Sequence, residues 1–157
     1  MGRVLWLPKA MNETGLPVYV VPGWEGRGVE TFSPRGGVIH HDGYKANVAT
    51  RNAISLLANG RGQPNPLAGP LCQIWIDDDN EGTPEQGDPC VYVIASGRAN
   101  HAGPGGWNGL SGNTMVWGIE ARNCFVAGTS VLTASGLIPI ESVEVGAPGP
   151  GQVLVRI

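Results

Sequence analysis

Two adjacent histidines are the first residues of this 157-residue chain whose type and setting could do chemistry. His40 and His41 end the apolar run that begins at Gly37, a pattern typical of a short buried strand. Neighbouring strand residues point to opposite faces, so at most one of these imidazoles faces a given site. The pattern does not choose between them, because Val38 and Ile39 are both apolar. A packed, hydrogen-bonded histidine is the alternative to a metal ligand.

Glu120 lies in a second apolar run, Met115–Ala121, which predicts another strand. Alternation places Gly118 and Glu120 on one face, and Trp117 and Ile119 on the other, which we expect to be the core face. A glycine beside an acid on one strand face lets another group approach the backbone closely. The alternative is a glutamate that faces solvent on a half-exposed strand.

A glycine-rich loop over residues 97–113 contains Asn100, His101 and Trp107. Such a loop can present an aromatic platform to a sugar or a peptide, and its glycines allow close backbone contact. Glycine-rich loops are common, so this loop alone does not establish a binding site.

The elements that must position these residues are several short, nearly all-apolar strands and one helix. The helix is predicted over Val48–Asn59, with Asn47 as its N-cap and Gly60 as its stop. Strands are predicted at residues 17–22, 37–41, 71–76, 90–95 and 115–121. This pattern predicts an α/β fold whose mixed central sheet is covered on both faces.

Composition excludes several classes of function. The formal net charge is −3 and the basic residues form no cluster, which argues against a nucleic-acid partner. No apolar run approaches 18 residues, so we expect no membrane partner. The N-terminal apolar stretch is too short for a signal peptide. The three cysteines form neither a disulfide framework nor a CxxC pair.

Five segments occur in an order that resembles the zinc-dependent N-acetylmuramoyl-L-alanine amidases, and more narrowly the endolysins of actinobacterial phages. They are residues 20–24, 37–41, 67–71, 91–103 and 118–121. The resemblance covers about residues 5–123. It implies a mixed central sheet with flanking helices, the fold that these amidases share with peptidoglycan recognition proteins.

The resemblance also implies a reaction and its residues. His40, rather than His41, would bind Zn²⁺, and Glu120 would accept the proton of the attacking water. Asn100, His101 and Trp107 would contact the substrate, peptidoglycan, whose amide between N-acetylmuramic acid and L-alanine is cut. An endolysin of this kind stays in the host cytoplasm until release and then acts on the bacterial cell wall.

The chain departs from the family in its zinc ligands. In the family, a second histidine and an Asp or Cys come from a segment well after the Gly-Ile-Glu strand, whereas no histidine here follows His101. Catalytic zinc takes three protein ligands. We therefore expect a C-terminal half to supply the others, and little or no hydrolysis by these 157 residues alone.

A second resemblance begins at Cys124. The segments 124–133, 136, 139–141 and 143–146 resemble the N-terminal block of an intein or related Hint domain. This implies that the Cys124 thiol attacks the carbonyl of Asn123. The predicted organisation is an amidase portion over residues 1–123 and a short all-β Hint-type fragment over 124–157. Residues 125–157 contain neither histidine nor asparagine, which indicates a truncated, split or frame-shifted product.

Other functions remain open at this point. The first part could be a peptidoglycan-binding module that does not cut, and the whole chain could be a toxin-type precursor that the Hint block processes. A nuclease built on the histidines would lack basic residues to hold phosphates. The acidic segment from Asp77 to Asp88 has the spacing of an EF-hand loop, but predicted strands flank it and Pro84 interrupts it, which favours an acidic turn.

Overall fold

A computed structural model of the chain describes residues 2–41, 48–103, 106–107, 109–122, 130–133, 136–139 and 153–155. The helices are α1 (Leu7–Asn12), α2 (Thr50–Asn59) and the short α3 (Gly112–Met115), with a 3-10 turn at Trp24–Gly26. The strands are β1 (Val18–Val20), β2 (Gly36–His41), β3 (Gly60–Arg61), β4 (Leu67–Ala68), β5 (Ile74–Asp77), β6 (Cys90–Val93), β7 (Gly106–Trp107), β8 (Leu110–Ser111), β9 (Val116–Ala121), β10 (Ser130–Thr133), β11 (Gly136–Pro139) and β12 (Val153–Val155). None of the helices in these ranges is long and apolar enough to cross a membrane.

The main sheet has six strands in the order β1-β6-β5-β9-β2-β12. The β1–β6, β5–β9 and β9–β2 pairs are parallel, whereas the β6–β5 and β2–β12 pairs are antiparallel. The prediction of an α/β fold with a mixed central sheet is therefore confirmed. Because β5, β9 and β2 are parallel, their carboxyl ends meet at one edge of the sheet.

Apolar side chains cover both faces of the sheet. On one face α2 packs Ala53 and Leu57 into a cluster with Trp75 and Tyr92. On the other face the N-terminal segment and the following loop form a cluster of Val4, Leu7, Trp24, Phe32, Ile74, Val91, Val93 and Trp117. This explains why the central strands read as nearly continuous apolar runs rather than alternating ones.

One expectation about β9 is wrong in detail. We expected only the face of Trp117 to be the core face, but Val116 on the opposite face is fully buried and Gly118 is buried too. The reason is that the loop carrying His101 covers that second face near Gly118.

The helix prediction is confirmed with a later start. The helix α2 begins at Thr50 rather than Val48, its N-cap position is Ala49, and no side chain caps it. The expected cap, Asn47, lies outside the described residues. The Thr50 hydroxyl donates to Asp77 at 2.6 Å, which ties the first turn of the helix to the end of β5. The helix α1 was not predicted from the sequence, although Pro8 in its first turn is typical of a helix start.

A buried ion pair joins the ends of β5 and β9. The guanidinium of Arg122 donates to both carboxylate oxygens of Asp77, at 2.6 and 3.0 Å, and neither side chain is more than 1% exposed. Arg122 also donates to the carbonyl of Val48 and to the hydroxyl of Thr50. These contacts occupy Asp77, so the acidic-turn interpretation of residues 77–88 fits the structure better than an EF-hand.

The C-terminal segment contributes a hairpin and an edge strand. The strands β10 and β11 pair antiparallel, from Ser130↔Pro139 to Thr133↔Gly136, within the fragment over 124–157 that is predicted to be all-β. The strand β12 pairs antiparallel with β2 at the edge of the main sheet. The boundary between residues 123 and 124 therefore stays a prediction, since a strand from the second predicted unit adds to the sheet of the first.

Candidate active site

A pocket of about 230 Å³ lies between α2 and the carboxyl ends of β2 and β9. Leucines of α2 and of the segment after it form its apolar side. Its polar lining consists of His40, His41, Arg61, Asn100, His101 and Glu120. The candidate residues from β2, β9 and the glycine-rich loop therefore line one cavity. This cavity lies on the face of the sheet that carries Trp75, because Trp75 is the register partner of Glu120.

His40 and Glu120 are register partners on the parallel strands β2 and β9. Side chains at paired positions project from the same face of a sheet, so both enter the pocket. His41 pairs with Ala121 instead; it is exposed and lies at the rim. The structure therefore shows which of the two histidines faces the pocket, a question that the alternation of strand residues alone does not decide.

His101 reaches the same pocket from the glycine-rich loop, and its ring lies 5.6 Å from the ring of His40, centroid to centroid. The ring packs against the backbone of Gly118, where an added Cβ would lie 2.5 Å from Cδ2 of His101. Gly118 thus provides the close approach that its position beside Glu120 predicts, and the approaching group is an imidazole.

Gln73 holds the backbone around this contact. Its side chain is fully buried; Oε1 accepts from the Gly118 N–H at 2.6 Å, and Nε2 donates to the Gly97 carbonyl at 3.0 Å. One amide therefore fixes both the strand that carries Glu120 and the start of the loop that carries His101. Gln73 was not predicted to have a role. The feature that could have indicated one is its polar side chain inside the apolar run 71–76.

Two ring nitrogens of the site are buried without a hydrogen-bond partner: Nε2 of His40 and Nδ1 of His101. Burial lowers the pKa of His40 to about 4. Burial, followed by the neighbouring His40, lowers the pKa of His101 to about 4. Both imidazoles are therefore neutral at pH 7, the protonation state that a metal ion requires of histidine.

The remaining predicted residues have different places. The Asn100 side chain borders the pocket and donates to the Ala68 carbonyl at 2.8 Å, which ties the glycine-rich loop to β4. The backbone of Trp107 lies in the β7–β8 hairpin. Asn123 and Cys124 lie outside the described residues.

The buried, unpartnered Nε2 of His40 fits a zinc ligand, because such an atom otherwise costs free energy for a lost hydrogen bond. Within the described ranges no group of three or more His, Cys, Asp or Glu side chains is placed to hold a metal ion.

Comparison with models of protein families, with curated proteins and with solved structures found no match. The functional argument therefore rests on the residues of the pocket and on the order of the sequence motifs.

Proposed function

We propose that the pocket is the active site of a zinc-dependent N-acetylmuramoyl-L-alanine amidase that acts on peptidoglycan. The observation that carries this proposal is the pairing of His40 with Glu120: an imidazole whose Nε2 is buried without a hydrogen-bond partner lies beside a carboxylate on the same face of the sheet. A neutral imidazole can bind a metal ion, and a neighbouring carboxylate can act as the general base in metal-assisted hydrolysis. The resemblance over residues 5–123 identifies the bond.

Two residues of the pocket have a direct role in the proposed hydrolysis. His40 would hold zinc through Nε2, and the other ligands would come from a C-terminal half, as the resemblance implies. Zinc, when bound, lowers the pKa of water and polarises the substrate carbonyl. Glu120 accepts a proton from the attacking water as its oxygen adds to the lactyl carbonyl carbon. The C–N bond then breaks, and Glu120 returns that proton to the departing amine of L-alanine.

The surroundings of the pocket fit a substrate of sugar and peptide. The lining of the pocket combines polar side chains, among them Asn100 and the exposed His41, with leucines. Asn100 and the backbone of the glycine-rich loop can contact an extended glycan–peptide, and the resemblance adds Trp107.

Replacing Glu120 by glutamine is expected to lower the hydrolysis of purified cell walls by about 10²–10⁴-fold, because the variant cannot accept a proton. The assay measures soluble material released by the natural product of the gene with zinc present. The zinc content of Glu120→Gln should be unchanged. The His40→Ala variant, by contrast, should lose both its zinc and its activity. Glu13→Gln, on the exposed end of α1, is the matched control and should be fully active.

If the wild-type product binds cell walls but releases nothing in the presence of zinc, the amidase proposal fails and the binding-module alternative is favoured. Equal activity of Glu120→Gln and Glu13→Gln would remove Glu120 from the mechanism.

We further propose that the segment from Cys124 is an intein-type block. The antiparallel pairing of β10 with β11 favours this over an unstructured tail. In the proposed step the Cys124 thiol adds to the carbonyl carbon of Asn123, and the amide C–N bond breaks. A thioester forms, and the Cys124 α-amino group, which gains the thiol proton, is released. The toxin-precursor alternative uses this same step.

Hydroxylamine is expected to cleave the chain between Asn123 and Cys124, because it attacks a thioester much faster than an amide. Mass spectrometry should find residues 1–123 ending in a hydroxamate. Cys124→Ala should abolish the cleavage, whereas Cys72→Ala, at a buried position in the core, should not. Equal cleavage in wild type and Cys124→Ala would refute the acyl-shift proposal and leave the amidase proposal untouched.

A further inference from the structure

We infer that His101 is a second ligand of the zinc ion, binding through Nδ1, so that this chain itself supplies two imidazoles to the ion. The inference rests on the zinc site of the proposed function and changes the role of His101, since the resemblance places this residue on the substrate groove. It concerns metal binding, which can be measured without any hydrolysis.

The hydrogen bond of His101 identifies the free nitrogen. Its Nε2 lies 2.9 Å from the carbonyl oxygen of Val116. A carbonyl oxygen can only accept, so Nε2 carries the proton, and in the neutral ring Nδ1 has an unprotonated lone pair. That lone pair is buried and has no partner. Metal-binding histidines usually donate their other ring N–H to a carbonyl or a carboxylate, as His101 does to Val116.

The spacing of the two rings suits one shared ion. Zinc–nitrogen bonds of about 2.0–2.1 Å in tetrahedral geometry place the centroids of two bound imidazoles roughly 5 Å apart. The rings of His40 and His101 are 5.6 Å apart, and their planes are inclined at 65°. An edge-to-face arrangement lets two lone pairs converge, whereas stacked rings would direct them past each other.

The surroundings hold His101 in this orientation without an ion. Gly118 leaves room for the ring, and Gln73 fixes the Gly118 N–H. The side chain of Asn113 accepts from the backbone N–H groups of His101 and Ala102, at 3.1 and 2.7 Å. A ligand fixed in this way loses little conformational freedom when it binds a metal ion.

A substrate-binding role predicts a different chemistry for the same ring. With its proton committed to Val116, His101 has no N–H to offer to a substrate carbonyl and can only accept a hydrogen bond at Nδ1. A substrate contact there would leave zinc affinity unchanged when His101 is replaced, whereas a ligand role would not.

The test is calorimetric titration of the metal-free chain with ZnCl₂, repeated with Co²⁺ for its absorption spectrum. We expect one ion per chain, with affinity lowered more than tenfold in both His40→Ala and His101→Ala. His41→Ala, which removes the third histidine, from the rim of the pocket, is the matched control and should change affinity less than threefold. If His101→Ala fails to fold, ¹⁵N spectra of the unaltered chain replace it, and zinc should shift Nδ1 rather than Nε2 of His101.

Several outcomes would overturn the inference. If His40→Ala loses zinc and His101→Ala does not, the proposed zinc site stands and the second-ligand role is wrong. An equal loss in His41→Ala, or no zinc binding by the wild-type chain, also rejects the two-imidazole site. In each case the Glu120→Gln assay on the natural gene product still decides the amidase proposal separately.

Discussion

Replacing Asp77 by alanine is expected to lower the free energy of unfolding by about 3–5 kcal/mol, because the guanidinium of Arg122 would stay buried without its counter-charge. The Arg122 side chain is only 1% exposed, and both carboxylate oxygens of Asp77 accept hydrogen bonds from it. The Thr50 hydroxyl would also lose the oxygen to which it donates. Urea denaturation followed by circular dichroism measures the change.

Two comparisons make this result specific to the ion pair. Asp88→Ala removes an exposed aspartate from the same acidic segment and should change stability by less than about 0.5 kcal/mol. The double variant Asp77→Leu/Arg122→Met should lose less free energy of unfolding than Asp77→Ala alone, since well-packed apolar residues can replace a buried ion pair. A loss below about 1 kcal/mol in Asp77→Ala would show that Arg122 finds another partner or water.

Substituting alanine for Gly118 is expected to displace His101 and to lower zinc affinity more than tenfold. The new Cβ would lie 2.5 Å from Cδ2 and 2.6 Å from Cγ of the imidazole, closer than such atoms can pack. The ring must therefore move away from the Val116 carbonyl, which costs its hydrogen bond. Overpacking of this kind typically also costs about 1–3 kcal/mol of stability.

The matched control for this substitution is Gly62→Ala. Gly62 has no atom within 4 Å of an added Cβ, so the variant should keep both its stability and its zinc affinity. Titration with ZnCl₂ and urea denaturation measure the two quantities on each variant. If Gly118→Ala binds zinc as tightly as Gly62→Ala, then His101 does not need its observed position to hold the ion.

The sheet could be predicted from sequence because its strands have strong local patterns. The apolar runs ending at His41 and Ala121 identified β2 and β9, and Gly118 indicated a close approach on the same face as Glu120. Which strands are neighbours was not predictable from these patterns. The register of His40 with Glu120 depends on pairing between segments that are far apart in the chain.

The polar contacts that support the site could not be predicted for the same reason. The hydrogen bonds from Gly118 to Gln73 and from Arg122 to Asp77 each span 45 residues, and no local periodicity encodes such pairs. Nothing in the local sequence of β12 specifies β2 as its partner. The position of His101 beside His40 was missed because loops have no repeating pattern from which a side-chain direction follows.

The central claim is that the His40–Glu120 pocket cuts the amide between N-acetylmuramic acid and L-alanine. The most direct measurement is mass spectrometry of the material that the natural gene product releases from purified cell walls in the presence of zinc. The amidase account predicts stem peptides with a free L-alanine amino terminus, and glycan strands whose lactyl carboxyl groups are free. New reducing sugar ends, stem peptides cut internally, or the same products from the His40→Ala variant would contradict it.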